Sequence, residues 1–316
     1  MISLSRLRIH RNIHNFYRQW LLLENQITLG KRQEGRVYLR NFWGKLEDFD
    51  STKLFLTNLI RESAPDILRV RIDSVFPDFS PRFTRFLRLT QRFRTEFTPN
   101  FKVWFSGENV RPPIRDQYDV FLGFEKDSPN PSNVFLPLWA TQLGTNIELA
   151  KYKQSKLMIT RSLRCDKKDF ACIVISNPEP TRLHFLSELQ KIGEVECYGP
   201  AFGRPIPNKQ EILRNYRFNL CFENDLYPNY VTEKVFDSYE AECIPIWWGL
   251  DEESFLNDDA IINVHRLGFR ESLERIRFLE NNPSEQDQIR EQPLLQRAYD
   301  FDSLLSSLAE KLGRKI

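Results

Sequence analysis

The sequence predicts an α/β protein built as two domains, and three observations predict it. The chain has 316 residues, enough for two domains of ordinary size. Short apolar runs alternate with segments of helical periodicity along most of that length. Residues 218–249 read in order as strand, polar turn, helix and strand, a βαβ unit whose strands must run parallel with a right-handed crossover. Composition agrees, with 41% hydrophobic and 28% charged residues. A net charge of +2 is too balanced to argue for a nucleic-acid partner. No run reaches the 18 or so apolar residues of a membrane span, and the first residues show no apolar signal segment.

Residues 1–34 read as an N-terminal helical extension. Ile9, Ile13, Phe16, Trp20 and Leu23 share one helical face, and Arg6, Arg8, Arg11 and Arg18 precede any acidic residue. Two readings stand: a helix lying in a membrane interface, or one docked on the domain with a solvated basic side. A first strand is expected at 36–42, a helix at 53–61, and strands at 67–76, 101–105, 118–124 and 134–138. These make a first Rossmann-like domain over 35–155. Within it, Arg82, Arg85, Arg88 and Arg92 recur at helical spacing, with Phe83, Phe86, Leu87 and Phe93 largely on another face. Basic residues interleaved with aromatics occur in nucleic-acid binders, but an amphipathic helix with a charged outer face accounts for the pattern more simply. An acidic glycan or lipid headgroup is the other partner that face would suit.

Residues 143–164 read as a linker. The second domain, 156–300, then runs through a buried strand at 170–176, a helix at 182–192, a strand at 195–198 and the βαβ unit. A strand at 260–264 and helices at 267–279 and 283–296 follow. A C-terminal amphipathic helix occupies 301–316. The five cysteines have no CxxC or metal spacing and lie mostly in strand-like context, as reduced core thiols do.

Two places carry candidate chemistry. In the βαβ unit, Glu233 and Lys234 fall in the first turn of the helix, where backbone N–H groups point outward unpaired. A lysine there opposes the helix dipole unless an anion binds, and a nucleotide diphosphate is the obvious one. In residues 104–109, WFSGEN, an apolar strand ends at Ser106 and Gly107 allows a sharp turn. Glu108 is thereby presented at the strand's C-terminal end, where α/β sheets bind ligands. The motif alone fits a general base or a turn residue equally. No DxD metal motif occurs in a suitable loop; Asp258-Asp259 is a bare pair, and His10 and His14 lack a third ligand.

The segment FENDLYPNYVTEK…IPIWWG is similar to the signature of the α1,3/4-fucosyltransferase family, glycosyltransferase family 10, with its FEN…YVTEK…IPIYWG pattern. Ser106–Asn109 resembles that family's SGEN or TGEN motif, and Asn41–Gly44 its opening element. The matches are specific over 104–139, 170–182 and 218–249 and loose elsewhere from residue 36. The resemblance implies a GT-B fold, two Rossmann-like domains facing a cleft, with acceptor binding in the first and GDP-sugar binding in the second. It implies inverting transfer of L-fucose from GDP-β-L-fucose to a glycan hydroxyl, such as the GlcNAc 3-OH of an N-acetyllactosamine-like acceptor, with no metal or other cofactor. Glu108 would be the base, and Lys234 and Arg182 would stabilise the departing diphosphate. Asn224, Tyr230 and Glu233 would hold nucleoside and sugar, Tyr230 by stacking or hydrogen bonding. Glu233 would bind a ribose or fucose hydroxyl, or support a developing oxocarbenium charge. Glu223 would orient its neighbours, and Trp247, where the family usually has Tyr, is a departure without mechanistic weight. Animal members carry a membrane anchor and stem. Neither is visible here, so the resemblance implies a bacterial-type, cytoplasmic member, peripheral at the inner membrane surface if residues 1–34 bind lipid. Two rivals remain. One is a GT-B transferase for another GDP-sugar or acceptor. The other is a non-catalytic glycan or nucleotide binder, which would have no need of Glu108.

Overall fold

A computed structural model describes residues 37–40, 42, 51–65, 69–74, 101–109, 118–162 and 169–313. The expected N-terminal extension at 1–34, the basic aromatic segment at 81–97 and Cys165 lie outside the described residues. The chain divides into two compact units, Met1–Leu136 with Asp302–Ile316, and Pro137–Phe301.

The first unit contains β1 (Val37–Arg40), α1 (Ser51–Ser63), β2 (Val70–Ser74), β3 (Phe101–Phe105), β4 (Val120–Gly123) and β5 (Asn133–Phe135). The five strands are all parallel and lie in the order 1-2-3-4-5. A parallel sheet is covered on both faces, so its strands are apolar nearly throughout. All four residues of β4 are buried, and β3 lets only Lys102 toward solvent. Helix α1 packs Phe55, Leu56, Leu59 and Ile60 inward.

The second unit begins with a 3-10 turn, Leu138–Gln142, and α2 (Ile147–Leu157). It continues through β6 (Asp169–Val174), α3 (Pro180–Leu189), β7 (Val195–Tyr198), α4 (Lys209–Leu213), β8 (Tyr216–Leu220), α5 (Glu233–Glu240), β9 (Ile244–Trp247) and β10 (Ile262–Asn263). Helices α6 (Val264–Leu267), α7 (Phe269–Glu280) and α8 (Pro283–Glu291) follow, and α9 (Phe301–Gly313) ends the described chain. The sheet is again parallel, in the order 10-9-8-6-7. Its core joins Ala171, Ile173, Phe218, Leu220, Ile244 and Ile246 of the strands to Phe185 and Leu189 of α3 and Ile276 and Leu279 of α7. Gly199 lies at φ 97°, with a virtual Cβ 2.2 Å from the Ile175 carbonyl oxygen, so only glycine lets β7 close against the end of β6.

Two features differ from the sequence reading. The segment expected to be a linker contains α2, capped by Asn146, whose Oδ1 accepts from Leu149 N at 2.9 Å. That segment also belongs to the second unit, so the division falls after Leu136 and not near 155. Trp139 stacks on Phe236 and meets Phe255 and Tyr299 edge-on. The Gln154 side chain exchanges hydrogen bonds with the backbone of Tyr299. The C-terminal helix, in turn, is shared with the first unit, where Lys311 Nζ donates to the Pro131 carbonyl. Cys172, Cys197, Cys221 and Cys243 are free, all but Cys197 buried, and burial pushes the Cys221 thiol up to about 12.

Candidate functional site

In the second sheet, β7 lies on one side of β6 and β8 on the other. The gap above the C-terminal ends of β6 and β8 is therefore a topological switch point, where such sheets bind ligands. Two loops meet there: residues 175–179 between β6 and α3, and residues 221–232 between β8 and α5. Arg182, in the first turn of α3, ties them together. Its Nη1 donates to the Asn177 carbonyl at 2.6 Å. Its Nη2 donates to the carbonyls of Phe222 at 2.6 Å and Glu223 at 3.0 Å, and to Asn224 Oδ1 at 3.1 Å. The side chain is only 1% exposed. Burial pulls the guanidinium below its usual range, opposed mainly by Glu223, yet an arginine there stays charged. The fork is turned onto backbone carbonyls and Asn224 and is sealed from solvent, so Arg182 holds the two loops together.

The other expected cation is placed differently. Lys234 stands in the first turn of α5, capped by Thr232. Its Nζ donates to Glu223 Oε2 and to Thr232 Oγ1, each at 2.9 Å, while its side chain keeps 18% exposure. Glu223 is wholly sealed. Its Oε1 accepts from Thr232 N at 2.9 Å and Trp247 Nε1 at 3.4 Å, and its Oε2 also accepts the Thr232 hydroxyl at 2.8 Å. Trp247, which the sequence left without weight, is thus a donor to this carboxylate. Its indole also explains the glycine that ends the motif: a Cβ on Gly249 would sit 2.3 Å from the ring.

Glu233 opens α5 and is half-buried. Desolvation pushes its carboxyl up, but Lys234, Lys209, its own backbone N–H and the Gln142 amide outweigh that and hold it below the usual range. Gln142 Nε2 lies 3.4 Å from Glu233 Oε2, and Lys209 pairs with Asp237 at 2.7 Å. Neither Gln142 nor Lys209 was legible as part of the site, since both lie far from the motif along the chain. Asn224 is half-buried, with its Oδ1 held by Arg182. Tyr230 is 1% exposed and packs within the loop.

Glu108 belongs to the first unit. It follows β3 by three residues, after Ser106 N donates to the Leu122 carbonyl at 2.9 Å and Gly107 N to the Phe105 carbonyl at 3.0 Å. These bonds fix the turn, and Glu108 stands half-buried at the C-terminal edge of its sheet. The structure thus clusters Arg182, Asn224, Glu233 and Lys234 at one edge and holds Glu108 on the corresponding edge of the other unit. Among the described residues, no three His, Cys, Asp or Glu side chains are grouped to hold a metal, and no helix is long and apolar enough to cross a membrane.

Comparison with known proteins bears on this edge directly. The family model described as glycosyltransferase family 10 (fucosyltransferase) C-term matches residues 165–288, which contain both loops and α5. Over those residues the chain is similar to the C-terminal part of glycosyltransferase family 10. It is 30% identical over 226 residues to the α-(1,3)-fucosyltransferase FucT of Helicobacter pylori, covering 61% of this chain and 47% of that protein. It is 35% identical over 105 residues to human 4-galactosyl-N-acetylglucosaminide 3-α-L-fucosyltransferase 9, covering 31% of this chain and 29% of that protein. The chain thus spans less than half the length of these relatives. An α1,3-fucosyltransferase crystal structure with GDP-fucose shares the fold at a TM-score of 0.61 and 22% identity, over 89% of this chain and 90% of that one. The GT-B pairing of two parallel α/β units that the family resemblance implied is therefore the fold of this chain.

Proposed function

We propose that this protein is a member of glycosyltransferase family 10, an inverting α-1,3-fucosyltransferase that moves L-fucose from GDP-β-L-fucose to a glycan hydroxyl without a metal. The observation that carries the reading is the cluster at the switch point: a partly exposed ammonium, Lys234, fixed in the first turn of a capped helix inside the segment that matches the family. Helix N-terminus and lysine together make an anion site suited to a diphosphate. The names of the Helicobacter and human relatives support the sugar and the linkage.

In the proposed reaction the acceptor oxygen bonds to the anomeric carbon of fucose as the bond from that carbon to the β-phosphate oxygen breaks. Glu108 takes the acceptor hydroxyl proton. Lys234 and the α5 N–H groups take up the charge that develops on GDP. Glu233 and Asn224 offer a carboxylate and an amide for hydroxyls of the donor. The acceptor is proposed as the GlcNAc 3-OH of an N-acetyllactosamine-like glycan.

Calorimetric titration with GDP in EDTA, with UDP, CDP and dTDP as controls, tests the donor half. Selective GDP binding is expected. Binding of none of them, or only after a divalent metal is added, would overturn the assignment. A panel of GDP-sugars and N-acetyllactosamine then tests the transfer itself.

A further inference from the structure

Glu223 is built into the donor edge more completely than any other acid described there. Its backbone N–H donates to the Trp248 carbonyl at 2.9 Å and its carbonyl accepts from Arg182, so the residue is pinned to the end of β9 and to α3 at once. Its carboxylate has no solvent exposure and takes donors from Thr232 N, Thr232 Oγ1, Trp247 Nε1 and Lys234 Nζ. A carboxylate sealed this way is matched by its cation and its donors, and removing it would leave them unmatched. The Thr232 hydroxyl gives its one proton to Glu223 and receives from Lys234, so the three groups form a closed triangle in which each fixes the next.

We infer that Glu223 is the positioning residue for Lys234, acting by their direct ion pair and through the Thr232 hydroxyl, and that it sets how well the first turn of α5 receives a nucleoside diphosphate. The inference rests on the donor reading above. It assigns Glu223 no contact with the donor. Glu223 instead holds the ammonium in one place, so that the lysine needs little ordering when the diphosphate arrives. In Glu223→Gln, the amide NH₂ would face the Thr232 hydroxyl and the lysine, donor against donor, and Lys234 would leave its position.

The test is a double-mutant cycle read by GDP calorimetry on the full chain: the unaltered protein, Glu223→Gln, Lys234→Ala and the double variant. With Lys234 in place, Glu223→Gln should weaken GDP binding roughly tenfold, the size expected when a charge-assisted hydrogen bond is lost. In the Lys234→Ala background it should change GDP binding less than about twofold, because the group it acts through is gone. Equal losses in both backgrounds would make Glu223 a general structural residue and overturn the inference. So would an unchanged affinity in the single variant. If Glu223→Gln does not fold, Glu223→Asp, which keeps the charge but withdraws it from Lys234 and Thr232, takes its place with the same two readings. Failure of the unaltered protein to bind GDP would overturn the donor reading and this inference together. Binding with additive losses would overturn this one alone.

Discussion

Glu108 and Glu223 make an instructive pair. Each follows a buried parallel strand by three residues, β3 ending at Phe105 and β8 at Leu220, and each is followed by asparagine. One is preceded by Gly107 and is left half-buried at its sheet edge. The other is preceded by Phe222, whose ring packs on Phe185 and Trp248, and is turned inward onto Thr232, Lys234 and Trp247. The same dipeptide at the same distance from a strand therefore yields two kinds of carboxylate. The residue before it decides whether the turn stays open or is stapled to the core.

The largest effect should come from the open member. Glu108→Gln is expected to lower the rate of fucosyl transfer roughly 10²- to 10⁴-fold, as loss of a general base does, while GDP affinity stays within about twofold. A variant that turns over at the normal rate would break the contrast. Next, Arg182→Met should cost about 3 kcal/mol of stability in urea unfolding, because the Asn177, Phe222 and Glu223 carbonyls lose a charged donor in a sealed place. A loss within experimental error would mean that the loop around Glu223 stands without that staple. Gly249→Ala should cost about 2 kcal/mol, since the added methyl meets the Trp247 ring, and it should weaken GDP binding by disturbing the indole donor to Glu223. Unchanged melting would show that the indole can move without consequence.

The smallest effect sharpens what a partner does for a buried acid. Among the described residues, Asp251 has no ion pair; its Oδ2 accepts from Leu256 N at 2.7 Å, and burial pushes its carboxyl up to about 6. A raised folded value means that the native state holds the proton more tightly than the unfolded chain, so stability falls as pH rises from about 4 to about 6 and then levels. Asp251→Asn should therefore be more stable than the unaltered protein above pH 6 by ~1 kcal/mol, and no more stable near pH 4. Melting temperatures measured across that range check it; a difference independent of pH would remove Asp251 as the cause.

Much of this was legible. Parallel strands buried on both faces must be continuous apolar runs, so β3 and β7 stand where the sequence put them, and the helix of the 218–249 unit begins at Glu233 and Lys234, the two residues the sequence placed in its first turn. Helix α2 was missed because its inward positions are Ile147, Ala150, Gln154 and Leu157, of which only two carry a strong apolar signal. The part Arg182 plays in holding the loops was not legible, because nothing local announces that three carbonyls from two loops converge on it. The bond between Glu223 and Trp247 spans a helix and a strand, so no spacing rule could expose it.

The C-terminal helix carries a last consequence, for the order in which the protein is made. Asp302–Ile316 belongs to the same unit as the chain's beginning, yet everything from Pro137 to Phe301 must leave the ribosome first. At about 5–20 residues per second, that is a wait on the order of ten seconds or more. The unit holding Glu108 therefore starts first and finishes last, while the unit holding Lys234 is synthesised as one uninterrupted stretch. A premature stop just after Phe301 would strip a helix from the first unit while leaving the second intact in sequence.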